Sequence, residues 1–386
     1  MPVAAVEVSV QEVGHPVREH TVPSHEQFRV LMAAGGTGGH IFPALSVARE
    51  LLDRANNRPG ARVPDIEFLG TGRGLEAHLV PSAGFRLHTV AAAGLKGIGG
   101  LKWLHNLLVL PRSAIEAAQV LREFMPDVVV GIGGYLAGPV MLDAALKDIP
   151  TLLIEPNAIP GFTNRVLAPV VRMAALGFES TARYYGEKAR VTGHAVRKDF
   201  FAIQPREHTS PFNVLILGGS QGSRSLNDCL VQCLPLLHFE AVKFIHQTGE
   251  RDYNAVREAY RVRGVQAEVQ PFIDDVAGAF AQADLVVSRA GAATVAELAA
   301  AGRASLLIPF PHAADQHQLQ NARRFESVGA ARVLEQRTLT PSRLANEILE
   351  LLGSPDALGA MERAARSLAR PDATERIADL IEELAL

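Results

Sequence analysis

Phe28-Arg29-Val30-Leu31-Met32-Ala33-Ala34-Gly35-Gly36-Thr37-Gly38-Gly39-His40 runs from an apolar stretch through a glycine turn into a segment, His40 to Arg54, with helical apolar spacing. A buried strand, a glycine turn and a helix in that order open a βαβ unit, in which strands run parallel and helices cover both sheet faces. The same opening recurs. Phe212 to Leu217 is apolar, Gly218-Gly219-Ser220-Gln221-Gly222 turns, and Arg224 to Leu237 has helical spacing. Two matching openings predict two similar α/β units in tandem.

Working outward, Asp65 to Leu69, Asp127 to Ile132, Thr151 to Ile154 and Arg190 to Thr192 read as strands of the first unit. Val242 to His246, Glu268 to Gln270, Leu285 to Ser288 and Ser305 to Ile308 take that part in the second. The expected fold class is therefore α/β, with two Rossmann-like parallel-sheet domains facing across a cleft. The expected divisions are an N-terminal extension, 1–27, a first domain, 28–204, a second, 205–370, and a C-terminal helix, 371–386, able to pack on either half. A hinge is expected around Phe200 to Pro211, where Pro205 and Pro211 bracket a polar stretch. Ligands of parallel sheets sit beyond the carboxyl ends of the strands, so facing units make a cleft with two binding walls. That geometry suits a two-substrate reaction.

Composition narrows the partners. The 386 residues are 48% hydrophobic and 20% charged, a folding composition long enough for two or three domains. A net charge of -3 removes the overall basic field of a nucleic-acid binder. Cys229 and Cys233 suit neither a disulfide framework nor a Cys-x-x-Cys pair, which fits a reducing compartment. Met1 to Phe28 has no basic residue before Arg18 and no long apolar block, so it is not read as a signal peptide. The most apolar stretch, Val128 to Leu142, is broken by Gly131, Gly133, Gly134, Gly138 and Pro139, and is too short to span a bilayer. A soluble or peripheral chain is expected.

Glycine turns at helix starts let backbone N–H groups approach an anion, and the helix end adds roughly half a unit of positive charge. Phosphate binding is the first expectation. Neither turn reads G-x-G-x-x-G, however, since Ile41 stands where the third small residue belongs, and no G-x-x-x-x-G-K-[ST] exists. Gly218 to Gly222 also matches the G-x-S-x-G nucleophile elbow of an α/β-hydrolase, with Asp284 and His312 or His317 following in triad order. Against it, Ser220 has a counterpart at Thr37, and a hydrolase elbow needs no matching first half. A third helix start, Ser288-Arg289-Ala290-Gly291-Ala292-Ala293-Thr294-Val295-Ala296-Glu297, leaves two readings of Glu297. It can accept hydrogen bonds from a sugar diol, or close a capping box with Thr294.

Gly35-Gly36-Thr37-Gly38-Gly39-His40, Gly131-Ile132-Gly133-Gly134-Tyr135, the Gly218 turn and Ser288-Arg289-Ala290-Gly291 with Glu297, in this order and spacing, resemble the MurG family of GT-B glycosyltransferases over residues 28–370. The resemblance implies transfer of N-acetylglucosamine from UDP-GlcNAc to undecaprenyl-pyrophosphoryl-muramoyl-pentapeptide. It places Thr37, Gly38 and Gly39 on the first wall with Asn157 and Arg197, and Gly133, Gly134 and Tyr135 on the acceptor side. On the second wall it places Ser220, Ile273 with its backbone toward uracil, the run Ala292, Ala293, Thr294, Val295, Ala296 and Glu297, and Gln318 toward the donor sugar. It tips Glu297 from cap alone to cap plus ligand. Two segments depart from the family pattern: Ile154-Glu155-Pro156-Asn157 stands for His-Glu-Gln-Asn, and Gly193-His194-Ala195-Val196-Arg197 for Gly-Asn-Pro-Val-Arg.

Inverting transfer needs a base for the acceptor 4-hydroxyl, and His40 is the candidate catalytic residue, kept neutral by the positive helix end. No metal or other cofactor is expected: His25-Glu26-Gln27-Phe28 is followed by Arg29, so H-E-x-x-H is absent, and the cleft motifs hold no Asp-x-Asp. A membrane-facing patch is expected between Ala77 and Ile115, which contains no Asp or Glu; Lys102, Trp103, Leu104, Leu107, Leu108 and Arg112 mix cations with apolar groups. The same residues also suit an ordinary crossover helix. An anionic membrane surface joins the two substrates as an expected partner, at the cytoplasmic face of the bacterial inner membrane. The rival readings are a glycolipid synthase, a UDP-sugar epimerase, and a non-catalytic nucleotide-sugar binding protein.

Overall fold

A computed structural model describes residues 27–35, 38–72, 74–90, 101–219, 221–237, 241–313 and 316–386, with the backbone alone at 101–111 and Tyr135. The extension up to residue 26, Thr37, Ser220, and the side chains of Lys102, Trp103, Leu104, Leu107, Leu108 and Tyr135 lie outside the described residues.

The first sheet is built from β1 (Gln27–Ala33), β2 (Val63–Gly70), β3 (Arg86–Thr89), β4 (Val128–Gly131), β5 (Thr151–Glu155), β6 (Met173–Leu176) and β7 (Ala189–Val191). Its helices are α1 (Gly38–Asn57), α2 (Glu76–Ser82), α3 (Leu101–Phe124), α4 (Gly134–Leu146), α5 (Phe162–Leu167) and α6 (Lys198–Phe201), the last at the crossing to the second sheet. The second sheet comprises β8 (Phe212–Leu217), β9 (Val242–Gln247), β10 (Ala267–Gln270), β11 (Leu285–Ser288), β12 (Ser305–Leu307) and β13 (Ala331–Val333). With it come α7 (Arg224–Cys233), α8 (Tyr253–Val262), α9 (Val276–Gln282), α10 (Ala292–Ala301), α11 (His317–Ser327), α12 (Pro341–Leu352) and α13 (Pro355–Ser367), and α14 (Ala373–Leu384) ends the chain.

Every strand pairing is parallel, in the orders β3-β2-β1-β4-β5-β6-β7 and β10-β9-β8-β11-β12-β13. The order reverses between β1 and β4 and between β8 and β11, which opens a crevice at their carboxyl ends. All four glycine-bearing segments of the sequence leave these four strands. The sheets are covered on both faces, which is why their strands read as unbroken apolar runs. Val30 and Met32 enter one core, Leu31 and Ala33 the other; Val214 and Ile216 likewise oppose Leu215 and Leu217.

Three strands, β3, β6 and β13, are not apparent in the sequence. Each is three or four residues long, and β3 is a half-exposed edge without an apolar run. Packing also changes lobes early: Ala195 lies in the first-lobe core, whereas Val196, Phe200 and Ile203 lie in the second, upstream of most of the expected hinge. The terminal helix chooses the first lobe. Ile377, Ala378 and Ile381 of α14 pack with Leu51 of α1. Buried Arg54 holds it there, donating to Asp379 Oδ1 at 2.7 Å, Glu382 Oε2 at 3.0 Å and the Glu375 carbonyl at 2.7 Å. Among the described residues no helix is long and apolar enough to cross a membrane.

Candidate active site

The two crevices meet in one cleft of about 1430 Å³, lined from the first lobe by Gly38, Gly39, His40, Gly133, Gly134 and Asn157 and from the second by the Gly218 turn, Arg289, Thr294, Glu297 and Gln318.

On the second wall, backbone crowding dictates glycine. Gly222 has φ +71°, and a Cβ there would fall 2.1 Å from the Thr248 carbonyl oxygen; one on Gly218 would fall 2.7 Å from the Ser223 nitrogen. Below this turn lies Arg289, 8% exposed. Its guanidinium donates to Ser223 Oγ at 2.7 Å, Ser225 Oγ at 2.8 Å, Gln336 Oε1 at 2.7 Å and the Ile308 carbonyl at 2.9 Å, and it stacks on Phe310 at 5.6 Å. Among the described residues no carboxylate pairs with it. Burial lowers its pKa to about 10, so it stays cationic at neutral pH. A buried charge normally acquires a counter-charge, and Arg289 lines the cleft. The sequence reading quoted Arg289 within a motif but assigned it no role, because loneliness in a fold is not a sequence property.

Helix α10 corrects one expectation. Its N-cap is Gly291, with no side-chain cap, so Thr294 is the third helical residue and Glu297 the sixth. The Thr294–Glu297 capping box does not form, because extended Gly291 starts the helix directly after β11. The first-turn N–H groups therefore open on the cleft with Ala292, Ala293 and Thr294, while Val295 is buried in the core and Ala296 packs against it. Burial raises the Glu297 carboxyl to about 7, opposed by the charge of Arg197. The Ile273 N–H is occupied by Gln247 Oε1 at 3.0 Å, which leaves the carbonyl of Ile273 as its backbone group for a ligand. Gln318 Oε1 accepts from the Phe310 N–H at 2.9 Å, so the NH₂ end is what Gln318 can offer a sugar.

On the first wall, His40 is the third residue of α1. Gly133, at φ +97°, comes so close that a Cβ there would lie 3.5 Å from both His40 Nε2 and Asn164 Nδ2. Burial, above all, lowers the His40 pKa, with the charge of His317 from the second lobe adding to it and a hydrogen bond to the Gly35 backbone opposing. The imidazole is thus neutral at pH 7. Burial is the leading cause, where the sequence reading had invoked the helix end.

Glu155 was overlooked by sequence reasoning as a site organiser. Fully buried, its carboxylate accepts from Asn157 N at 2.9 Å, Asn157 Nδ2 at 3.1 Å, Gly161 N at 3.1 Å and Asn164 Nδ2 at 2.8 Å, folding the loop after β5 into the cleft wall. Asn321 of α11, also buried, crosses the lobes: its Oδ1 accepts from Ala158 N at 3.1 Å and its Nδ2 donates to the Ala290 carbonyl at 3.2 Å. Arg197 bridges them too, lying over Phe42 of α1 at 5.4 Å and Phe200 of α6 at 5.0 Å.

The hydrolase triad is not assembled. Asp284 sits fully buried at the amino end of β11, where it takes His208 Nδ1 at 2.9 Å and Asn213 N at 2.7 Å, at the opposite edge of the sheet from the Gly218 turn. Of the membrane-patch residues, Arg112 is exposed and paired with Glu116 at 2.7 Å.

Two facing parallel-sheet lobes with glycine turns at both switch points define the GT-B class of α/β proteins. Residues 30–176 match the glycosyltransferase family 28 N-terminal domain and residues 213–384 its C-terminal domain. The chain is 43% identical over 361 residues (92% of this chain, 93% of the relative) to the UDP-N-acetylglucosamine--N-acetylmuramyl-(pentapeptide) pyrophosphoryl-undecaprenol N-acetylglucosamine transferase of Myxococcus xanthus (strain DK1622). It is 45% identical over 362 residues, with the same coverage, to the protein of that name from Anaeromyxobacter sp. (strain Fw109-5). The crystal structure of Acinetobacter baumannii MurG superposes with a TM-score of 0.72 at 32% identity, covering 92% of this chain and 99% of that one. The chain belongs to glycosyltransferase family 28, in the branch of these N-acetylglucosamine transferases.

Proposed function

We propose that the chain transfers N-acetylglucosamine from UDP-GlcNAc, with inversion, to the 4-hydroxyl of undecaprenyl-pyrophosphoryl-muramoyl-pentapeptide. The observation that carries this reading is the opposition, in one cleft, of a neutral histidine and a buried arginine that no described carboxylate pairs with. The acceptor oxygen attacks the anomeric carbon while its proton passes to His40, and the bond to the β-phosphate oxygen breaks toward UDP. Arg289, Arg197 and the uncapped start of α10 meet the diphosphate charge. Glu297 takes the ribose hydroxyls, the Ile273 carbonyl faces uracil, and Gln318 reaches the sugar. Gly133, Gly134 and the loop held by Glu155 shape the acceptor side.

The acceptor lipid calls for an apolar approach to the first wall. Leu146 (76% exposed), Phe162 (69%), Val166 (59%) and Leu142 (45%) stand out from α4 and α5, and the last three also line the cleft. Exposed apolar groups grouped at a cleft mouth mark an interaction surface. Their position supports docking on the cytoplasmic face of the membrane. Leu146→Glu with Phe162→Glu is expected to weaken binding to anionic vesicles; unchanged binding would remove this face from the membrane reading.

Incubation with radiolabelled UDP-GlcNAc and a short-chain lipid pyrophosphate acceptor, in chelator, tests the reaction. Lipid-linked product is expected. Free sugar released without acceptor would favour an epimerase, and nucleotide binding without turnover a silent binding protein.

A further inference from the structure

We infer that Gln247 is a positioning residue that holds the two halves of the donor wall, the diphosphate-facing turn after β8 and the base-facing loop after β10, in register with each other. The inference rests on the donor reading above and extends it to a side chain whose amide is bonded at both ends within the protein.

Gln247 ends β9 and is 4% exposed at the cleft floor. Because β9 lies between β8 and β10, a side chain leaving its carboxyl end stands between the two segments that follow those strands. The amide uses both ends there. Its Nε2 donates to the Gly219 carbonyl at 3.0 Å, and its Oε1 accepts from the Ile273 N–H at 3.0 Å. Gly219, at φ +86°, belongs to the glycine turn, whose Gly222 N–H also reaches the Gly219 carbonyl at 2.9 Å. Ile273 belongs to the loop whose neighbours Phe272 and Val276 line the cleft.

The backbone just beyond Gln247 is already locked. Thr248 N–H donates to the Gln270 carbonyl at 2.9 Å and Gly249 N–H to the Pro271 carbonyl at 3.0 Å, while Asn227 Nδ2 donates to the Thr248 carbonyl at 2.9 Å. A Cβ on Gly249 would fall 2.7 Å from Gly222 Cα, so strand end and turn touch backbone to backbone. From this fixed base the turn and the loop project toward the ligand, and the Gln247 side chain spans them. One end meets a donor and the other an acceptor, so neither an apolar nor a shorter side chain can make both bonds.

A nucleoside diphosphate touches both segments at once. Holding two half-sites at the ligand's own span makes the second contact intramolecular, and that advantage is lost when the span drifts. Gln247→Met, nearly isosteric, is expected to raise the dissociation constant of UDP about ten-fold while those of uridine and of inorganic pyrophosphate, measured separately by competition, stay within about two-fold. The KM for UDP-GlcNAc should rise with it, at nearly constant kcat and acceptor KM. Gln247→Asn, which keeps an amide but cannot span the gap, should behave alike and serves if the methionine variant fails to fold. Unchanged UDP affinity in the folded variant overturns the inference. So does an equal loss for uridine or for pyrophosphate, which would place Gln247 in one half-site only. Wild-type protein that binds no UDP would instead sink the donor reading itself.

Discussion

The two switch-point crevices share one topology and differ in charge. The first gathers a neutral imidazole, His40, beside a loop folded round the buried acid Glu155, whose pKa burial raises. The second buries Arg289, whose partners among the described residues are hydroxyl, amide and carbonyl groups. The same reversal of strand order, at β1–β4 and at β8–β11, thus carries walls of different charge. What differs is which long-range partners reach each turn.

Removing His40 tests the first wall most severely. His40→Ala is expected to lower kcat by about 10²–10⁴-fold with UDP affinity nearly unchanged, as for loss of a general base. An active variant would move the base elsewhere. Arg289→Met tests the second wall: loss of charge-assisted bonds predicts roughly ten- to hundred-fold weaker UDP binding in a titration, with acceptor KM unaffected. Should kcat collapse while UDP affinity persists, the contrast between the walls would be misdrawn.

The second wall can also be read through its pH dependence. Glu297, raised to about 7, is protonated below that value and ionised above it. If its carboxylate receives ribose hydroxyls, UDP affinity climbs by several-fold as pH rises from about 6 to 8, and Glu297→Gln flattens the profile. A profile that survives the substitution would exclude Glu297 as its source.

The smallest effect concerns stability away from the cleft. His208 is raised to about 9 by its hydrogen bond to Asp284 and its ion pair with Glu362 at 3.4 Å. A raised folded-state pKa gives stabilisation fully present below the unfolded value, near 6.5, and lost as pH climbs through about 9. Thermal midpoints between pH 7 and 10 should fall by a few degrees more in the wild type than in His208→Gln, and parallel curves would count against the pair.

Much of the architecture was legible because parallel strands buried on both faces spell apolar runs, and because the turns at their ends demand glycine. Phe28 to His40 and Phe212 to Gly222 sufficed for two lobes and their facing cleft. The short strands β3, β6 and β13 were not, since three or four residues without alternation are indistinguishable from loop. In the site, the glycines, His40 and Glu297 stood out by motif. Glu155, Asn321 and Gln247 did not, since each matters through hydrogen bonds to residues distant in sequence, and no local spacing records them.

By itself the sequence determined the two strand–turn–helix openings, at Phe28 to Arg54 and Phe212 to Leu237, since those depend on nearest neighbours and backbone sterics. Only the tertiary structure decided that α14 returns to the first lobe, that Glu297 is no cap, and that Arg289 lies buried with no carboxylate partner among the described residues. Each of those depends on which groups are brought together, and so on desolvation and pairing across the fold.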